Sequence, residues 1–234
     1  MSSFALKSIA LVCMCIDHMG LALFPSAGAF RCVGRIAFPL YCFLLCEGYA
    51  HTRDIRAYAR RLLLLAFLSE IPFDLLIFGR IASGVEQNVV FSLLLGLLAL
   101  YAADQLCARP PERLLALLAL CMAAMVARVS YGWLGIALCL CFRLCGQRRI
   151  ARALCAPALL LVYSLSLLLS GVETGWVLTS LWAAAAALPL ALYSGKRGYH
   201  APALSFLFYT AYPLHMALLV LARAMRIVPP YFLG

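Results

Sequence analysis

Long apolar runs, separated by short polar stretches, make up most of this chain of 234 residues. Hydrophobic residues account for 66% of it and charged residues for 12%, too few charges to cover a water-facing globule of this size. A transmembrane helix needs about 20 apolar residues, so there is room for at most about ten spans. The composition therefore predicts a polytopic membrane protein. It excludes a soluble enzyme, a disordered chain and a nucleic-acid-binding domain.

Charges, prolines and glycines divide the chain into apolar segments of helical length. We predict an all-α transmembrane bundle of about nine spans (eight to ten) that forms a single domain over residues 1–234. Segments 113–128 and 131–145 are short, so either could be tilted or re-entrant. The first run contains Asp17-His18, a pair without use in a signal peptide, so we interpret it as a true helix. The predicted segments are 4–24, 33–50, 60–78, 88–107, 113–128, 131–145, 151–170, 174–193 and 202–222.

Lysine and arginine are distributed unevenly between the two sets of alternate loops. Cytoplasmic loops of membrane proteins are enriched in these residues, so a bias of 13 to 6 predicts a cytoplasmic N-terminus and an external 80–87 loop. The same bias accounts for the net charge of +10 without an acidic partner. The thirteen on the N-terminal side are Lys7, Arg53, Arg56, Arg60, Arg61, Arg109, Arg113, Arg143, Arg148, Arg149, Arg152, Lys196 and Arg197. The other six are Arg31, Arg35, Arg80, Arg128, Arg223 and Arg226.

The 11 cysteines, Cys107 among them, are odd in number and fall almost entirely inside apolar runs. The closest pairs are Cys13 with Cys15 and Cys139 with Cys141. Residues two apart on a helix face different sides, and neither pair has further ligands at zinc-site spacing. We therefore predict that the cysteines pack the bundle and that the protein holds no metal. A redox membrane protein is the alternative, which the spacing does not support.

A few ionisable or amide side chains interrupt the apolar runs, where an unpaired charge is costly and a functional role is the default expectation. Two pairs are spaced one helical turn apart, Glu47 with His51 and Glu70 with Asp74, so each pair shares a helix face. Pro72, between the latter two, is expected to kink its helix. The candidates are Asp17, His18, Arg35, Glu47, His51, Glu70, Asp74, Asn88 and His215.

Most of these candidates also have a purely structural interpretation. Arg35 could pair with Asp74 or Glu70 and lock two helices together. In the same way, Glu47 and His51 could form an interfacial pair that anchors the next loop. A lone intramembrane histidine such as His215 often makes a hydrogen bond between helices.

The Asp17-His18 pair is harder to explain by packing. A buried histidine beside a carboxylate can act as a general base near neutral pH. Asp17 would orient the ring or stabilise its protonated form. Because neighbouring residues diverge by about 100° on a helix, Asp17 could instead serve Arg35.

Seven stretches carry a resemblance to a known family when they are taken together and in order. They are IDHMG at 16–20, GRIAFP at 34–39, EGYAHTR at 47–53, SEIPFDL at 69–75, NVVFSLLLG at 88–96, GKRG at 195–198 and YPLH at 212–215. In this order they resemble the TraX family. The match runs from end to end, is most specific in the first hundred residues and is weakest over 107–193.

The resemblance implies an activity, a donor and a location. The family is named for an enzyme that N-acetylates the N-terminal amine of a conjugative pilin, and it is similar to the wider superfamily of membrane acyltransferases that use cytoplasmic acyl-CoA. In that superfamily an intramembrane histidine is the usual catalytic residue. The implied protein is an acetyl-CoA-dependent N-acetyltransferase, multi-pass in a bacterial inner membrane. Its acceptor would be an amine or hydroxyl of an exported peptide, glycan or lipid, with a pilin-like N-terminus favoured.

Acyl transfer to an amine needs a base, donors for the tetrahedral oxyanion and a dry, oriented site. We predict that His18 is the base, beside Asp17, and that Arg35 and Asn88 contact the carbonyl or the oxyanion. The phosphates of coenzyme A call for arginine and lysine. The cytoplasmic residues that could bind them, unless they only set the topology, are Arg53, Arg56, Arg60, Arg61, Lys196 and Arg197.

Two other functions fit the sequence less well. A small-solute or proton-coupled transporter would also use intramembrane Asp, Glu and His residues as a proton relay. Many transporters have duplicated halves, and no internal repeat is evident here. The third possibility is a scaffold subunit of a secretion or pilus apparatus.

Overall fold

The computed structural model describes residues 1–106, 109–199 and 201–225, so Cys107 and Arg226 lie outside the described residues. Within these ranges the chain is helical and has no strand, apart from an isolated bridge between Gln87 and Val129. This confirms the all-α prediction. The helices are α1 (Ser3–Leu23), α2 (Gly28–Gly34), α3 (Ala37–His51), α4 (Ile55–Phe78), α5 (Val89–Tyr101), α6 (Pro110–Val126), α7 (Trp133–Cys145), α8 (Arg149–Leu169), α9 (Thr174–Leu181), α10 (Ala187–Ala191) and α11 (Pro202–Ala224).

The helices of the described residues join into nine continuous segments, which correspond one to one with the predicted apolar segments. α2 and α3 form one segment, and a 3₁₀ turn over Trp182–Ala186 joins α9 to α10. Two segments begin five residues earlier than predicted, the second at Gly28 rather than at 33 and α4 at Ile55 rather than at 60. For α4, the reason is local, because the Asp54 side chain accepts a hydrogen bond from the Ala57 amide and caps the helix.

By length and composition, five helices of the described chain could cross a membrane, namely Ser3–Leu23, Gly28–His51, Arg149–Leu169, Thr174–Ala191 and Phe206–Ala224. Two shorter apolar helices are Val89–Gln105 and Trp133–Cys145. α7 is about 20 Å long, less than the hydrocarbon thickness, and several of its side chains are fully buried. The number of spans and the side of the N-terminus therefore stay predictions.

Alternate loops meet at opposite ends of the bundle. At one end the Ser3 amide donates to the Lys196 carbonyl at 2.9 Å, and Arg143 pairs with Asp104 at 2.9 Å. At the other end the Gln87 amide donates to the Arg128 carbonyl at 3.0 Å. The loops that carry the described members of the two sets of basic residues thus lie at the two ends. We call the end that holds Lys196 the basic end and the opposite one the far end.

α3 is the centre of the core. It packs against α1, α5 and α7, and ten of its 15 residues are buried. Three thiols act as small packing groups where α3 meets α7, namely those of Cys42 and Cys46 on α3 and of Cys139 on α7. Cys46 donates to the Cys139 carbonyl at 3.2 Å, and Cys42 and Cys139 are fully buried. The short interior α7 can therefore lie close to α3.

Arg152 departs from the loop position that the basic residues suggested. It is 2% exposed, and its guanidinium lies 5.3 Å from the ring centroids of both Phe43 and Tyr193. No hydrogen-bond acceptor among the described residues reaches its Nε or Nη1 atoms. The cation is stabilised by aromatic faces within the core, and so Arg152 is more than a determinant of topology.

α1 and α2 approach each other closely at Gly34. A Cβ atom added at Gly34 would overlap the side chain of Asp17 on α1, whereas one added at Gly28 would meet nothing within 4 Å. The absence of a side chain at Gly34 therefore allows the Asp17 carboxylate to lie against α2.

We expect Gly34→Ala to destabilise the protein by about 1–3 kcal/mol, because the added methyl must push α2 away from Asp17. Gly28→Ala is the matched control and should leave stability unchanged or slightly increased, since alanine favours helix. Thermal unfolding in detergent compares the two variants. Equal midpoints for both would contradict the close packing of α2 on α1.

The orientation prediction is tested by labelling single cysteines from each side of the membrane. Arg56→Cys at the basic end should react only from the cytoplasmic side, and Ser83→Cys at the far end only from the external side. Arg56 is exposed and Ser83 is partly exposed, and labelling is measured above that of the native cysteines. External labelling at position 56 would reverse the orientation.

Candidate active site

Two histidines 197 residues apart in the sequence meet inside the bundle. Nδ1 of His18 on α1 lies 2.6 Å from Nε2 of His215 on α11, and the two ring planes differ by only 7°. His18 is 9% exposed. It lies about 22 Å along α1 from Ser3, toward the far end. In the sequence these residues are separate candidates, and the structure brings them together.

The hydrogen bonds define which nitrogens carry protons. Nδ1 of His215 lies 2.7 Å from the carbonyl oxygen of Ala211. A carbonyl can only accept, so this Nδ1 is protonated and Nε2 of a neutral His215 has a free lone pair. Nδ1 of His18 must then donate to it, which leaves Nε2 of His18 unprotonated. The relay from Ala211 through His215 therefore holds His18 in the tautomer that can accept a proton at Nε2.

Asp17 does not orient His18. Its carboxylate forms an ion pair of 2.9 Å with Arg31 on α2, and the two side chains are 14% and 19% exposed. The alternative partner proposed from the sequence, Arg35, instead donates from Nη1 to the hydroxyl of Tyr131 at 3.1 Å. Arg35 therefore does not make the pairing with Glu70 or Asp74 that the sequence also allowed.

Arg31 and Arg35 both lie on the ring of Trp176. Their guanidinium carbons are 5.6 Å and 5.5 Å from its centroid. One buried donor, Nε of Arg35, has no acceptor among the described residues. The cluster around Asp17 thus holds two arginines, and the carboxylates of Asp17 and Glu86 both act on their charges.

Sequence reasoning missed three members of this cluster. Arg31 was counted only for topology, although its position four residues before Arg35 places both on one helix face. Tyr131 and Trp176 lie in stretches where the family resemblance is weakest, and nothing local marks them. Their contribution depends on how α7 and α9 pack, which a single sequence does not show.

Asn88, Glu70 and Asp74 form a structural group near the far end. The Asn88 side chain caps α5 through the Val90 amide, donates to the Ala66 carbonyl at 2.8 Å and contacts the Glu70 carboxylate. Asp74 accepts from the Ser83 amide at 2.8 Å. Both amide hydrogens of Asn88 are engaged, so this arrangement leaves no donor for an oxyanion.

Glu47 and His51 do not form the side-chain pair that the sequence allowed. His51 bonds through Nδ1 to the Glu47 carbonyl of its own helix at 2.8 Å. The Glu47 carboxylate accepts from the Tyr193 hydroxyl at 2.7 Å, and the same hydroxyl lies 2.8 Å from the Ser3 hydroxyl. Glu47 therefore ties α3 to the N-terminus and to the chain that follows α10.

The predicted donor-binding residues lie at the basic end, away from the histidines. All of them are exposed, and Arg61 stacks on Tyr58 of its own helix. Arg197 lines a small pocket at the start of α1 and α11. The positions are on the loop before α4, on its first turns, or on the loop before α11, namely Arg53, Arg56, Arg60, Arg61, Lys196 and Arg197.

Comparison with known proteins places this arrangement in a family. The family model described as TraX protein matches residues 2–223. A probable fimbrial assembly protein, FimC of serogroup H1 from Dichelobacter nodosus, is 34% identical over 95% of this chain and 96% of its own length. An uncharacterized protein of Rickettsia prowazekii is 48% identical over 44 residues, 19% of this chain and 17% of that protein. No solved structure matches the chain. Because the family model covers nearly the whole chain, and a relative matches along its full length, the protein belongs to the TraX family.

Proposed function

We propose that this protein is a membrane-embedded N-acetyltransferase, which moves an acetyl group from cytoplasmic acetyl-CoA to an amine of an exported or membrane-associated acceptor. The observation that carries the proposal is the relay from Ala211 through His215 to His18, which leaves a free lone pair on a buried imidazole. The relative described as a fimbrial assembly protein favours a pilin-like N-terminus as the acceptor. A bacterial inner membrane is the location that suits both substrates.

In the proposed reaction, the acceptor nitrogen attacks the thioester carbonyl while Nε2 of His18 takes a proton from the amine. The tetrahedral intermediate collapses with cleavage of the carbon–sulfur bond, and the His18 imidazolium returns the proton to the departing thiolate. The products are the acetylated amine and coenzyme A. During this step Nδ1 of His18 keeps donating to His215, which stabilises the imidazolium in its correct orientation.

Arg35 is the proposed donor to the oxyanion. Its Nε is buried without an acceptor among the described residues, while Nη1 is held by Tyr131. A fixed cationic donor in a water-poor site stabilises developing negative charge with little reorganisation. Arg31 forms an ion pair with Asp17, so we expect it to help position the Arg35 guanidinium rather than contact the substrate. Asn88 has no part in this step, because its amide is already used.

The histidine assignment is tested by acetyl transfer from labelled acetyl-CoA to a peptide with a free N-terminal amine, using detergent-purified protein. His18→Ala should lower kcat by roughly 10²–10⁴, the usual contribution of a general base. His18→Gln should not restore activity, because an amide cannot accept the proton. His51→Ala, in which the lost ring bonds only to its own helix, is the matched control and should keep wild-type activity.

A different pattern is expected at His215. His215→Ala removes the acceptor for Nδ1 of His18 and should lower kcat about tenfold, the cost of one buried hydrogen bond. His215→Gln should recover part of the loss, because its amide oxygen can accept that bond. Wild-type activity in His18→Ala would refute the base assignment. Binding of acetyl-CoA without turnover in the wild type would instead support a transporter or an assembly subunit.

The donor side makes a separate prediction. If Arg53 and Lys196 bind the phosphates of coenzyme A, removing either should raise the KM for acetyl-CoA without changing the KM for the acceptor peptide. Each lost charge-assisted contact is worth about 1.5–3 kcal/mol. Steady-state kinetics with one substrate varied at a time measure the effect. Unchanged constants in both variants would reduce the two residues to topology determinants.

A further inference from the structure

Two carboxylates of α4 lie near the far end without a positively charged partner. Glu70 and Asp74 are one helical turn apart and therefore share a face of the helix. Asp74 is only 2% exposed. One oxygen of each carboxylate, Oε1 of Glu70 and Oδ1 of Asp74, is buried and has no hydrogen-bond partner among the described residues. In the same part of the chain, no lysine, arginine or histidine forms an ion pair with either side chain. Because neighbouring carboxylates repel and burial makes each of them costly, this pair lacks a cation.

The second oxygen of each carboxylate is held by the turn that leads from α4 to α5. Oε2 of Glu70 accepts from the Asn88 backbone amide at 3.3 Å and also contacts the Asn88 side-chain amide. Oδ2 of Asp74 accepts from the Ser83 amide at 2.8 Å. Both carboxylates are thus anchored through one oxygen and leave the other free for a ligand.

Tyr212 connects this pair to the histidines. The amide of Val89, the first residue of α5, donates toward the Tyr212 hydroxyl, and the charge of Glu70 acts on the same hydroxyl. The Tyr212 ring is buried, with its centroid 6.3 Å from that of His18 and 5.9 Å from that of His215. Glu70 and His18 each lie 15 residues after the first residue of their helix, a rise of about 22 Å from the basic end. A single tyrosine side chain therefore separates Glu70 from the histidine pair at a similar depth in the bundle.

The chemistry of these groups suits an ammonium better than a metal ion. No group of three His, Cys, Asp or Glu side chains among the described residues could hold a metal. A primary ammonium has three N–H donors and can therefore bond more than one of the free carboxylate oxygens. The proposed acceptor carries such a group, because an N-terminal amine with a pKa of about 7.7–8.0 is mostly protonated at neutral pH.

We propose that Glu70 and Asp74 receive the terminal ammonium of the acceptor, which enters from the far end, and that Tyr212 separates this receiving site from His18. The inference rests on the proposed acetyltransferase function and adds the residues that recognise the acceptor. The reaction itself takes place beyond Tyr212, at Nε2 of His18. Glu70 therefore contributes to the affinity for the acceptor and not to the chemical step.

Equilibrium binding of two peptides to detergent-purified protein, without acetyl-CoA, tests the receiving site. One peptide has a free N-terminal amine, and in its desamino analogue a hydrogen atom replaces that amine. The wild type should bind the amine peptide about tenfold or more tightly than the analogue. Glu70→Gln keeps the size of the side chain and an oxygen that can accept from Asn88, and it should bind both peptides equally. Glu173→Gln removes an exposed carboxylate just before α9, so it is the matched control and should keep the wild-type preference.

A second measurement uses the unaltered protein, so it stays informative if Glu70→Gln fails to fold. Dicyclohexylcarbodiimide activates carboxyl groups in apolar surroundings, and an amine bound beside the activated carbonyl displaces the urea and forms an amide. Mass spectrometry should find the amine peptide attached to Glu70 or Asp74 and not to Glu173.

The outcomes separate this inference from the function on which it rests. Equal binding of the two peptides by the wild type, an unchanged preference in Glu70→Gln, or coupling at neither Glu70 nor Asp74 would refute the receiving site. Acetyl transfer that does not depend on Glu70 would refute the receiving site alone and leave the acetyltransferase proposal standing. A preference for the amine peptide that is lost in Glu70→Gln, in a protein that transfers no acetyl group, would support the receiving site and refute the acetyltransferase.

Discussion

The hydrogen bond between His18 and His215 joins the first and the last helix of the described bundle, and the candidate site depends on it. The water-poor interior requires this bond, because every polar group there needs a hydrogen-bond partner inside the protein. The Ala211 carbonyl fixes the proton of His215 on its Nδ1, and His215 in turn fixes the proton of His18 on its Nδ1. One backbone acceptor thus determines the protonation of a ring two side chains away. The lone pair on Nε2 of His18 therefore remains available to accept a proton.

The charges around this pair are arranged asymmetrically. Asp17 forms its ion pair with Arg31, whereas Arg35 donates to the Tyr131 hydroxyl and lies on the face of Trp176, with the carboxylates of Asp17 and Glu86 acting on its charge. Nε of Arg35 is nevertheless a buried donor without an acceptor among the described residues, and such a donor is costly. A neutral base next to an unused cationic donor suits a reaction in which an oxyanion forms transiently. The cost of that unused donor in the resting state would then be offset in the transition state.

At the basic end of the bundle the cations have different surroundings. Arg152 is compensated by aromatic rings inside the core and supports the packing of α8 on α3. Lys7 and Arg197 instead line a small pocket between the starts of α1 and α11. The predicted donor-binding residues and the histidine pair therefore lie toward different ends of the bundle.

Helix positions could be predicted from the sequence because hydrophobic runs and capping residues act locally. The nine segments, the sorting of basic loops to two ends and the choice of His18 and His215 as candidates follow from patterns within a few turns of chain. The partners of these residues could not be predicted in this way. In the structure Asp17 pairs with Arg31 rather than with Arg35, the Asn88 side chain caps a helix, and Arg152 is buried in the core. Each choice depends on how a helix is rotated and which neighbour it meets, and both are set by packing between segments far apart in the chain.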